Sequence, residues 1–135
     1  MAGKNFSLDI VTPTRTVFSG EVQSFTAPGV LGGFQVLFNH APLLSSIKVG
    51  RVKIIGGSGN EVHYATSGGF VEVNANKVIL LAETAERSDE IDVQRAEEAK
   101  RRADEQLRKE EDVDEERARA ALVRAINRLK IAAEN

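Results

Sequence analysis

Cysteine is absent from the 135 residues, which excludes disulfides and thiolate metal ligands and gives no sign of an oxidising compartment. Glycine, proline and aromatic residues are missing from the whole C-terminal part. All 11 glycines, all three prolines and all seven aromatics lie at or before Phe70. No run approaches the ~18–20 apolar residues that a bilayer-spanning helix needs. Neither sign of charge dominates: 18 Lys and Arg stand against 20 Asp and Glu, a net charge of −2, so no global field favours nucleic acid. The first residues, Met1 to Val11, run straight into a strand pattern. They show neither the apolar core of a signal peptide nor an Arg/Ser-rich leader. The expectation is a protein that stays soluble where it is made, with any membrane association indirect.

What is present divides in two. Residues 87–135 hold 49 positions, of which 26 are charged, and read as nearly uninterrupted helix. Residues 1–86 carry the turn formers and β-branched residues of a sheet. A chain of this length allows one ordinary domain or two small ones. The sharp change in composition favours a sheet domain, 1–86, followed by a helical domain, 87–135.

Strand signals fill the first part. Phe6, Leu8 and Ile10 alternate with Ser7, Asp9 and Val11 before Thr12-Pro13; Phe34, Val36 and Phe38 alternate before Asn39-His40-Ala41-Pro42. Val52, Ile54 and Ile55 run into the flexible connection Gly56 to Asn60, after which Val62 and Tyr64 resume the alternation. The segments 70–73 and 78–81 flank Asn74-Ala75-Asn76-Lys77, a hairpin turn by composition. Short strands at this spacing predict an antiparallel sandwich or barrel. The predicted core is Phe6, Leu8, Ile10, Phe34, Val36, Val52, Ile54, Tyr64, Phe70, Val78 and Leu80. No enzyme's constellation appears. His40 and His63 are 23 residues apart, no nucleophile pairs with a base, and no metal set is visible. Ser67-Gly68-Gly69 leads into a strand rather than a helix, so it reads as a strand-entry bulge and not a phosphate cradle.

In the second part Asp92 and Asp114 are the predicted N-caps of two helices, about 93–109 and 115–132. The intervening Glu110 to Val113 lacks glycine and proline, so it reads equally as a turn or as continuous helix. Helical spacing puts Val93, Ala96, Lys100, Ala103 and Leu107 on the inward face of the first helix. It puts Ala118, Ala121, Leu122, Ala125, Leu129 and Ala132 on that of the second. Alanines let helices approach closely but bury little area. Each large aliphatic contributes roughly 1.5–3 kcal/mol when fully buried, and few are available. Ordering costs about 1–2 kcal/mol per residue. The hairpin is therefore expected to be weakly held, with folded and extended arrangements a few kcal/mol apart. Asp92, Arg95, Ala99 and Arg102 share one face, and Arg117, Arg124 and Arg128 another. These stripes read either as solvated surface with local ion pairs or as a basic ribbon. Such a ribbon meets an acidic partner when extended or gathers round phosphates when folded.

These residues carry a resemblance. Ile10-Val11-Thr12-Pro13, Asn39-His40-Ala41-Pro42-Leu43-Leu44, Ser67 to Val73, Ala85-Glu86-Arg87, Ile91 to Ala96 and Arg124 to Leu129 resemble, in order and spacing, the epsilon subunits of bacterial F-type ATP synthases over nearly the whole chain. The resemblance implies an N-terminal antiparallel β-sandwich of about ten strands and a C-terminal antiparallel two-helix hairpin. It implies a non-catalytic subunit of the central stalk, peripheral on the cytoplasmic face of the bacterial inner membrane. There the sandwich holds the gamma subunit and sits on the c-ring, coupling ring rotation to ATP synthesis driven by protons. The helical arm of many relatives enters the catalytic head of alpha and beta subunits and blocks hydrolysis. No cofactor is required, but some relatives bind regulatory ATP on the folded hairpin. The positions matching theirs are Glu86, Ile91, Asp92, Arg95, Ala96, Arg102, Arg124 and Arg128. Partner contacts are expected at His40 and Gly33, where the family usually has a glutamate near the ring, and at Arg117, Arg124 and Arg128 of the arm. The competing reading is a free-standing sandwich whose charged hairpin recruits a protein partner.

Overall fold

Alternation of apolar and polar residues sets the strands, and the switch to helical spacing after Asp92 ends them. The structure, a computed structural model, describes residues 4–109 and 114–134; the link Glu110 to Val113 lies outside the described residues. The chain forms two units, Met1–Arg87 and Ser88–Asn135.

The first unit contains nine strands among the described residues: β1 (Phe6–Val11), β2 (Thr16–Ala27), β3 (Phe34–Val36), β4 (Leu43–Ile47), β5 (Gly50–Gly56), β6 (Glu61–Thr66), β7 (Gly69–Asn74), β8 (Lys77–Ala82) and β9 (Ala85–Arg87). Their order is β4-β7-β8-β1-β2-β5-β6-β9, with β3 on β2. All ladders are antiparallel except β1 with β8. The long β2 joins the two layers of the sandwich. Its first part pairs with β1 and its last part with β5 and β3. Register slips between Val22 and Ser24, where Ser24 and Phe25 are buried in succession. An inserted residue breaks alternation and bends the strand in this way.

Most of the predicted core is buried: Phe6, Leu8, Ile10, Val36, Val52, Ile54, Tyr64, Val78 and Leu80. Val22, Phe25, Ile47, Val71 and Val73 join them. Phe34 is only half-buried, packed at the margin of the core. Phe70 corrects the prediction outright. It is 57% exposed, because β7 turns Val71 and Val73 inward and a two-residue period sends Phe70 and Glu72 to the opposite face.

Gly68 and Gly69 make the strand-entry bulge, with φ of +118° and +150°. A Cβ on Gly69 would collide with the carbonyl oxygen of Leu81.

The second unit starts with one 3-10 turn, Ser88–Glu90, followed by α1 (Val93–Arg108) and α2 (Glu115–Ala133), which pack against each other. Both caps form as predicted. Asp92 Oδ1 accepts from Arg95 N at 3.0 Å and Asp114 Oδ1 from Arg117 N at 3.0 Å. The two starts repeat one pattern, Asp-x-x-Arg-Ala, and both its alanines, Ala96 and Ala118, are buried.

The seam consists of Ala96 and Ala103 against Ala118 and Ala125, with Leu107, Ala121, Leu122, Leu129 and Ala132 half-buried. Two predicted members are displaced. Val93 and Lys100 are exposed and Ala99 is half-buried. Ile131, assigned to no face beforehand, is 1% exposed.

Candidate functional site

The residues with chemical potential fall into a set on the helices and a set on the sandwich. In the helical unit, Ile91 and Asp92 immediately precede α1, and Ala96 sits one turn in. Asp92 is the cap, and Ile91 and Ala96 are both buried, 8% and 3% exposed, at the two positions that a hydrophobic staple joins across a helix start. The pattern Ile-Asp-x-x-Arg-Ala is thus first a device for beginning a helix. Asp114-x-x-Arg117-Ala118 does the same at α2.

The arginines are different. Among the described residues Arg95, Arg102, Arg117 and Arg124 make no side-chain ion pair, whereas Arg101 reaches Glu98 and Glu105 on its own helix. Arg95, Arg102 and Arg117 are exposed, and Arg124 and Arg128 half-buried. The guanidinium forks of Arg95, Arg102, Arg117 and Arg124, on a largely polar helix surface, are suited to phosphate or carboxylate oxygens, which they can hold with paired hydrogen bonds. Glu86 lies in the other unit, on β9, in register with Ala65 of β6.

On the sandwich, His40 follows β3 and Gly33 precedes it. A carbonyl can only accept, so the 2.6 Å contact from His40 Nδ1 to Ala41 O places the proton on Nδ1. Gly33 is exposed, and a Cβ there would meet only Ala27 O at 3.8 Å, so a side chain fits.

The outward row of the β4-β7-β8-β1 layer was invisible beforehand. Phe70 pairs with Leu81, Leu81 with Val11, and Leu44 lies diagonal to Phe70 beside Glu72. Leu44, Phe70 and Leu81 are 73, 57 and 55% exposed. Apolar side chains grouped on one face mark contact surfaces more often than scattered ones do. The signal that could have found this row is Phe70 in phase with Glu72 and out of phase with Val71 and Val73.

Strands β5 and β6 carry a polar network. Lys53 Nζ lies 2.9 Å from Glu61, Arg51 contacts His63 Nδ1 at 3.0 Å, and His63 Nε2 lies 3.6 Å from Glu61. The hydrogen bond from Lys53, and then its charge, hold the Glu61 carboxyl below its ordinary range. Among the described residues no group of three or more His, Cys, Asp or Glu is placed to hold a metal.

Residues 5–88 match the family model described as "ATP synthase, Delta/Epsilon chain, beta-sandwich domain", and residues 89–133 match "ATP synthase, Delta/Epsilon chain, long alpha-helix domain". The chain belongs to the ATP synthase delta/epsilon family. It is 47% identical over 130 residues to the ATP synthase epsilon chain of Desulforamulus reducens, covering 96% of this chain and 98% of that one. It is 42% identical over 131 residues to the ATP synthase epsilon chain of Syntrophomonas wolfei, covering 96% of each.

Among solved structures, a chain of the Euglena gracilis mitochondrial ATP synthase (OSCP/F1/c-ring, rotational state 1) superposes with a TM-score of 0.78 at 20% identity, covering 100% of this chain and 84% of that one. A chain of the Tetrahymena thermophila mitochondrial ATP synthase central stalk and c-ring gives 0.56 at 19% identity, covering 95% and 93%. At these identities the likeness is one of fold. For a member of the delta/epsilon family, the two residue sets above fall one in each family domain: the apolar row in the sandwich and the unpaired arginines in the long-helix domain. No helix among the described residues is long and apolar enough to cross a membrane.

Proposed function

We propose that this protein is a non-catalytic rotor subunit of a bacterial, proton-driven F-type ATP synthase. In this reading the sandwich binds the gamma subunit and rests on the c-ring at the cytoplasmic face of the inner membrane. It transmits ring rotation to the shaft, and bond chemistry stays in the alpha and beta subunits. The single observation that carries the reading is the apolar row of exposed Leu44, Phe70 and Leu81 with half-buried Val11 beside them, on the sandwich of a family member. The gamma subunit is the proposed occupant of that row. The ring is assigned to the end of the sandwich bearing His40 and Gly33. His40, with its proton on Nδ1, offers Nε2 as an acceptor to a donor on the ring. The test is reconstitution of the purified chain with a gamma subunit and a c-ring. Co-elution with both supports the reading, and failure to bind either one removes it.

The helical unit is proposed as the regulatory arm. Folded, the hairpin presents Arg95, Arg102, Arg124 and Arg128 to the phosphates of ATP. Ile91, Asp92 and Ala96 shape the helix start beside them. Extended, the basic face with Arg117, Arg124 and Arg128 meets acidic surfaces of the catalytic head and opposes hydrolysis. Support comes from Arg95, Arg102, Arg117 and Arg124, which make no side-chain ion pair among the described residues, beside Arg101, which makes two. Truncation after Glu86 should raise ATP hydrolysis by the assembled complex, and unchanged hydrolysis removes the inhibitory role. Calorimetry of the isolated chain with ATP tests the nucleotide; absence of heat ends that part.

A further inference from the structure

Two left-handed turns from distant parts of the chain are locked together on the sandwich. Asn39 lies in the turn Leu37–His40, closed by His40 N donating to Leu37 O at 3.2 Å, and has φ 62°. Asn76 lies 37 residues away in the two-residue turn between β7 and β8, where Ala75 and Asn76 have φ 50° and 61°. The hairpin geometry demands two such residues. Asparagine tolerates this region, but a residue with an ordinary Cβ such as Ala75 disfavours it.

The side chains join reciprocally. Asn39 N donates to Asn76 Oδ1 at 2.6 Å, and Asn76 Nδ2 donates to Asn39 Oδ1 at 2.9 Å. Asn76 O in turn accepts from Ser7 N at 3.0 Å, tying the same turn to β1. Asn76 is therefore a bracket between the sheet and the Leu37–Pro42 loop. That loop carries His40 and the exposed Leu37 and Phe38.

An exposed loop without such a bracket samples many conformations, and a partner must select one at a cost in affinity. We infer that Asn76, through its reciprocal hydrogen bonds with Asn39, presets the Leu37–Pro42 loop for docking on the ring. Asn76 is a positioning residue that need not touch the partner. This rests on the ring contact proposed for His40. The partner chemistry is a loop offering a hydrogen-bond donor to His40 Nε2 amid apolar groups that cover Leu37 and Phe38.

The test uses the full chain, a purified c-ring in detergent and a purified gamma subunit. Asn76→Gly removes both side-chain bonds while easily adopting φ above zero. It should weaken ring binding about tenfold, the order expected when a preset loop must be ordered on binding. Gamma binding should change less than about twofold and the melting temperature should hold. The Asn39 amide should exchange faster with solvent, reporting loss of the bracket directly. Asn76→Asp keeps an acceptor for Asn39 N, and the Asn39 amide can turn its Nδ2 toward the carboxylate, so this variant should restore ring binding. Should Asn76→Gly fail to fold, Asn39→Gly, which deletes one half of the bracket, takes its place and should give a smaller loss confined to the ring.

Unchanged ring binding in Asn76→Gly with an accelerated Asn39 amide overturns the inference. So does an equal loss for ring and gamma, which is the mark of a merely structural residue. If the unmodified chain does not bind the ring, the ring contact itself is wrong and the inference falls with it.

Discussion

Ala125→Leu is the sharpest probe of how the helical unit is held. Ala125 is 0% exposed and lies in a seam with Ala96, Ala103 and Ala118, exposed by 3, 2 and 2%. Leucine adds three carbons to a buried position in a seam of alanines, and protein interiors are close-packed with few voids. Overpacking of this kind costs typically 1–3 kcal/mol. Leucine and alanine differ little in helix propensity, so the penalty falls on docking rather than on the helices as such. Most of the stability of a helix in a protein comes from packing, so opening the seam exposes the amides of α1 and α2, 16 and 19 residues long.

At about 1.4 kcal/mol per decade, the variant should speed amide exchange in α1 and α2 by about 5- to 140-fold. Exchange at Leu8, Ile54 and Leu80, buried in the sandwich, should not change. Residue-resolved hydrogen exchange by NMR reads both in one experiment. Unaltered helix exchange would mean that the alanine seam is not what holds the hairpin. Equal acceleration in the strands would mean that the two units do not open separately. Either result refutes the reasoning.

Four further outcomes are expected. Asp92→Ala and Asp114→Ala should each lower helix stability by about 0.5–2 kcal/mol, additively because the caps serve different helices, as measured by circular dichroism during thermal unfolding. Phe70→Ser should leave stability within about 0.5 kcal/mol, as for an exposed residue, while weakening gamma binding. Gly69→Ala, by contrast, should destabilise the sandwich through the Leu81 collision and its φ, by more than about 1 kcal/mol, and denaturant titration separates the two. Glu61 should titrate below the ordinary glutamate value by NMR and return toward it in Lys53→Met. A carboxyl depressed in the native state favours folding above its unfolded value, and that contribution is lost as pH falls through the native value.

What could be read in advance depended on the range of the forces involved. Helix caps are settled by a side chain and an amide three residues apart, so Asp92 and Asp114 were legible as residues alone. Alternation in β1 and β5 and the turn at 74–77 were legible for the same reason. The hairpin seam was legible only in part. Alanine differs so little from its surroundings that Lys100 and Ala99 compete for the same face, and only contact with the second helix chose between them.

The sequence by itself determined that this chain has a sheet part and a helical part, where each helix begins, and which family it belongs to, because composition, local hydrogen bonding and motif order are properties of the chain. Only the tertiary structure decided that Phe70 faces outward beside Leu81, that Ile131 is buried, that Arg95, Arg102, Arg117 and Arg124 lack acidic partners among the described residues, and that Asn39 meets Asn76. Each of these depends on strand register or on the proximity of segments far apart in sequence. Such proximity follows from the summed burial of the whole core, which no local stretch of residues contains.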